Sequence, residues 1–90
     1  MALFWLCYRK SGQVSVAIME APSLMHARMR AAIDGMNTGA TFAEGHKLDD
    51  DHAARVPRNL VGTMLSRDEA AALLDRIEHG ERPSGPRNRR

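Results

Sequence analysis

The feature that most constrains this chain is its first strand-like run, residues 3–8, Leu-Phe-Trp-Leu-Cys-Tyr. Aromatic and aliphatic residues of this kind suit a pleated strand. Alternation puts Leu3, Trp5 and Cys7 on one face and Phe4, Leu6 and Tyr8 on the other. Both faces are apolar, so both need cover. The chain's own helices can cover one. The other requires a second layer, a partner, or a central place in the sheet.

A hairpin follows from what comes next. Ser11-Gly12 is a turn signal, because glycine takes the positive φ that tight turns need. Residues 14–18 then alternate, with Val14, Val16 and Ile18 on one face and Ser15, Ala17 and Met19 on the other.

Pro22 predicts a helix start, since proline is favoured at the first helical position. Met25, Met29, Ala32, Ile33 and Met36 keep the spacing of one helical face and read as its buried stripe, with His26, Arg30 and Asp34 toward solvent. A second strip, Ala27, Ala31 and Gly35, recurs every four residues and permits close backbone approach. Gly35 and Gly39 bracket the stop. Residues 41–48 read as a third strand with Phe42, Glu44, His46 and Leu48 on one face. Its poor alternation suits an edge position. Asp49, Asp50 and Asp51 end it and favour a helix start. Pro57 then predicts a short helix with Leu60, Val61, Met64 and Leu65 inward, weakened by Gly62. Ser66-Arg67-Asp68-Glu69 fits a capping box. The helix it opens has a stripe of Ala70, Leu73, Leu74 and Ile77 and ends at Gly80.

The order is therefore β-β-α-β-α(-α). It implies an α+β domain: a small antiparallel sheet, the N-terminal β-hairpin plus a third strand, with helices packed on one face. Residues 1–79 form the compact domain, and residues 80–90, rich in Pro, Gly and Arg, read as a disordered basic tail. A domain of this size has a thin core. Cys7 is the only cysteine, so no disulfide can form within the chain. Oligomerisation is the common remaining support.

Charge narrows the function classes. Thirteen bases stand against eleven acids, a net of +2. Arg82, Arg87, Arg89 and Arg90 against Glu81 give the tail +3, which leaves −1 for residues 1–79. The pI near 9.2 thus describes a tail rather than a surface. The last helix has Arg67 and Arg76 against Asp68, Glu69, Asp75 and Glu78, a poor DNA-recognition helix. Nucleic-acid contact is confined to Arg9, Lys10, Arg28 and Arg30 with the tail residues Arg87, Arg89 and Arg90, and is expected to be weak. The apolar start is too short and wrongly flanked for a signal peptide, and nothing reaches the ~18 apolar residues of a membrane span. A cytoplasmic location is expected. Arg outnumbers Lys eleven to two and thirteen residues are Ala, a bias associated with GC-rich bacterial genomes.

Catalytic signatures are missing: no Gly-rich phosphate loop, no GxSxG and no CxxC occurs. Cys7 lies in the most apolar run and reads as a buried structural thiol. The cluster His46, Asp49, Asp51 and His52 offers metal-ligating types. Its spacing is not that of an EF-hand: from Asp49, positions six and twelve are Ala54 and Leu60. It reads better as a solvated loop capping the next helix. Met19, Met25, Met29, Met36 and Met64 suit core positions or an adaptable groove, which would lie between the first helix and the sheet.

The sequence thus points to a small non-enzymatic interaction module without a cofactor, a homodimer or the companion of another protein. Phe4, Leu6 and Tyr8, or alternatively Leu3 and Trp5, are the expected interface. The alternatives are a weak nucleic-acid binder using the tail and a metal-binding protein using residues 46–52.

Overall fold

The computed structural model describes residues 1–36 and 39–79. Its elements are β1 (Ala2–Lys10), β2 (Gln13–Ala21), α1 (Leu24–Ile33), β3 (Thr41–Lys47), α2 (Asp50–Ala54), a 3-10 turn (Arg58–Leu60), β4 (Thr63–Ser66) and α3 (Arg67–Glu78). All pairings are antiparallel, and the strand order is β3-β1-β2-β4. The expected tail, residues 80–90, lies outside the described residues.

The hairpin forms where its turn residues dictate. Lys10 pairs with Gln13, and Ser11 and Gly12 both take positive φ, 52° and 79°. Two such residues twist with the strands they join. The hairpin fills the centre of the sheet, which answers the two-sided strand: β1 has neighbours on both edges and cover on both faces. Leu3 and Trp5 join Val16, Ile18, Leu65, Leu73 and Ile77 in one core. Phe4, Leu6 and Tyr8 join Ala17, Met19, Ala27 and Ala31 in the other. The α+β class and antiparallel sheet are as the sequence implied, but the helices divide between the faces rather than sharing one. α1 covers the Phe4 face; α2 and α3 cover the Trp5 face.

Two further expectations change. Residues 63–66 are a strand, not the second half of a helix, and pair with β2 from Ser15↔Ser66 to Ile18↔Thr63. Only the 3-10 turn remains of the helix expected after Pro57. Gly62 at φ 83° reverses the backbone there, and its N–H donates to the Ile18 carbonyl at 2.6 Å. The third strand is an edge strand as expected, but its register shifts between Cys7 and Tyr8: Cys7 faces Glu44 and Tyr8 faces Phe42. The extra residue, Ala43, breaks the alternation. Phe42 therefore joins the α1 face, apart from Leu48, which belongs to the α3 face.

Caps fix the helices. Ser66 and Glu69 form the reciprocal capping box of α3. Arg55 donates to the Ile77 carbonyl at 2.7 Å, tying the residue after α2 to the end of α3. In α1 the N-cap is Ser23, one residue after Pro22, with its hydroxyl accepting from the His26 N–H. The C-terminus closes with Gly35 at φ 75°: Gly35 N–H donates to Ala32 O and Met36 N–H to Ala31 O. That paired closure satisfies carbonyls the helix leaves open.

Candidate functional site

α1 packs on the sheet by its small residues. Ala27 and Ala31 are both fully buried, while Met25, Met29 and Ile33 are 70%, 54% and 76% exposed. The stripe expected inside is thus largely outside, and the strip that permits close approach makes the contact. The cause lies in the sheet. Phe4, Leu6, Tyr8 and Met19 already fill the space over this face. A helix approaching them fits with its alanines down and overpacks with its methionines down. Gly45 on β3 matches this close approach: a Cβ there would meet Leu6, Phe42 and Leu24 side-chain carbons at 2.9–3.1 Å.

Met25, Met29 and Ile33 recur every four residues and form one ridge along the outer face of α1. They are the large apolar side chains most exposed among the described residues besides Met1. On one flank of the ridge lies Arg28, on the other Arg30.

Arg28 borders a cleft of about 430 Å³ between α1 and the sheet, also lined by Tyr8, Leu24, Met25, Met29, Ala32 and Phe42. The Arg28 guanidinium carbon sits 3.9 Å from the Phe42 ring centroid, a cation over an aromatic face. The Tyr8 and Phe42 rings meet edge to face at 5.6 Å and 69°. The Tyr8 side chain is wholly buried, and its hydroxyl has no hydrogen-bond partner among the described residues. Burial pushes its pKa above 10.0, with the Arg28 charge opposing.

Leu3, Phe4, Trp5, Leu6 and Tyr8 are at most 6% exposed, each inside the chain's own two cores. They are interior residues and not an accessible interface, because both sheet faces are covered from within. Cys7 is half-buried and borders an open cleft with Arg9, Val14, Thr41 and Glu44. Burial, aided by Glu44, raises the thiol pKa against opposing effects from Trp5 and Arg9. Such a thiol is a weak nucleophile at neutral pH. Asp49 caps α2, accepting from the His52 N–H at 2.8 Å, and its carboxylate lies 3.6 Å from His52 Nδ1. Among the described residues no three His, Cys, Asp or Glu side chains group to hold a metal, so beyond the Asp49–His52 pair the candidates His46, Asp49, Asp51 and His52 do not converge. Arg9, Arg28 and Arg30 border three different clefts. Lys10 ends β1 beside the hairpin turn. Arg87, Arg89 and Arg90 lie outside the described residues.

The sequence offered core filling or a groove between the first helix and the sheet as readings of the methionines, and a cleft lies between α1 and the sheet. What periodicity did not give was the outward ridge or the meeting of Tyr8, Arg28 and Phe42. No helix among the described residues is long and apolar enough to cross a membrane. No protein-family model, curated protein or solved structure matches this chain.

Proposed function

We propose that this protein is a small non-enzymatic interaction module that self-associates through α1. The observation that carries the reading is the exposed ridge of Met25, Met29 and Ile33 on a helix whose opposite face is already packed. A continuous apolar helical face open to water favours association, and methionine adapts to the surface it meets. Antiparallel packing of two copies about Met29 sets Met25 of one against Ile33 of the other and opposes the two helix dipoles favourably. Arg28 and Arg30 stay on the rim, where charge repulsion is screened. The β1 residues have no part in this contact.

Light scattering over a dilution series tests the reading. A dimer mass at high micromolar concentration that falls toward the monomer on dilution is expected, and Met29→Glu should be monomeric throughout. A monomer at every concentration contradicts self-association.

A further inference from the structure

The cleft beside α1 holds two polar groups that the interior packing leaves unused. The Tyr8 hydroxyl is buried and unpaired among the described residues. Leaving such a group without a partner is destabilising, and phenylalanine in the same place would avoid it. Arg28 is held over Phe42 but pairs with no carboxylate among the described residues. The rest of the lining, Leu24, Met25, Met29 and Ala32, is apolar. The volume, about 430 Å³, lies in the range of small-molecule sites.

We propose that this cleft binds a small aliphatic carboxylate, its chain lying against Leu24, Met29 and Phe42 and its carboxylate accepting hydrogen bonds from the Tyr8 hydroxyl and the Arg28 guanidinium. A guanidinium has only donors, so the ligand head must be an acceptor, and the charge selects an anion. The planar fork of arginine matches a carboxylate. A phosphate, with more oxygens to satisfy, finds a single cation here. The stack on Phe42 restrains Arg28 before the ligand arrives, which reduces the ordering that binding requires. The methionines let the wall adjust to the chain. The site shares Met25 and Met29 with the association ridge but rests on Tyr8 and Arg28, which self-association does not use.

The test is an amide NMR titration of the full chain with octanoate, using octanamide as the uncharged control. Saturable shifts centred on Tyr8, Arg28 and Phe42 are expected with octanoate. Octanamide, or octanoate with Arg28→Gln, should bind about ten- to a hundredfold more weakly, the scale of a lost hydrogen bond to a charged group. Tyr8→Phe should bind octanoate less tightly yet melt at a higher temperature than the wild type, because the unpaired hydroxyl is gone. That opposite pair of effects separates a ligand-facing hydroxyl from one served by a buried water, for which Tyr8→Phe would melt lower. The proposal is overturned by non-saturable or scattered shifts, by equal affinity for acid and amide, or by Tyr8→Phe that melts lower and binds unchanged. A monomeric chain that binds octanoate at the cleft keeps this inference and removes the dimer.

Discussion

The two faces of the sheet solve the same packing problem in opposite ways. On the Trp5 face, α3 sends large side chains down: Leu73 and Ile77 meet Val16, Ile18 and Leu65. On the Phe4 face the sheet supplies most of the bulk, and the fully buried residues of α1 are Ala27 and Ala31, with Leu24 partly buried at its start. Packing density is conserved by pairing large with small, and which partner is large is free to differ. The consequence is functional. A helix that packs by its alanines retains its large apolar residues for another surface. A helix that packs by its leucines has none left over. α3 closes the fold and α1 opens outward.

Substitutions can break this contrast. The largest effect belongs to the α3 face, where Ile77→Ala should cost about 2–5 kcal/mol because Ile77 is fully buried; the urea midpoint reads it. On the α1 face the damaging change runs the other way. Ala31→Leu adds bulk where Phe4, Leu6 and Tyr8 leave no room, and should cost about 1–3 kcal/mol by the same assay. If Ala31→Leu were neutral, α1 would not lie close on the sheet.

A third prediction concerns Tyr8, the only tyrosine, so phenolate absorbance reports it alone. Its folded pKa is raised, chiefly by burial. The stability tied to keeping it neutral is whole below the ordinary tyrosine value and is lost as pH rises through the folded pKa. Wild-type stability should therefore fall on raising the pH above 10.0, and Tyr8→Phe should remove that part of the fall. Equal alkaline slopes for the two proteins would place the ring in water. The smallest effect is expected at the ridge. Ile33→Ser in dilute solution should change stability by under about 0.5 kcal/mol, since Ile33 is mostly exposed. A loss comparable to Ile77→Ala would mean that the ridge faces inward.

Much of the fold was legible because local rules and tertiary packing agree there. Ser11-Gly12 allows little but a tight turn, and Ser66 to Glu69 marks a helix start whatever surrounds it. The failures have physical causes. Leu60, Val61, Met64 and Leu65 have a spacing that suits a helical face, and four-residue strands carry too little pattern to overrule it. β4 forms because β2 offers an open edge, a fact about the sheet and not about residues 63–66. The face of α1 was misjudged because hydrophobicity ranks methionine and isoleucine above alanine. The space beneath the helix decides instead, and Phe4, Leu6 and Tyr8 of β1, remote in sequence but on the same sheet face, set that space. A groove beside α1 was one of two readings of the methionines, and Met25 and Met29 do line the cleft, but the meeting of Tyr8, Arg28 and Phe42 was not legible. Tyr8 meets Phe42 only through a shifted register at Ala43, which no alternation reveals.

α1 buries Ala27 and Ala31 and presents Met25 and Met29, and methionine oxidation by dilute peroxide, mapped by mass spectrometry at low and high protein concentration, reads this arrangement out. At low concentration Met25 and Met29 should oxidise fast and Met19, 3% exposed, slowly. At high concentration Met29 should become protected as a second copy covers the ridge. Slow oxidation of Met25 and Met29 in dilute protein would contradict the packing, and rates for Met29 that never depend on concentration would contradict the association.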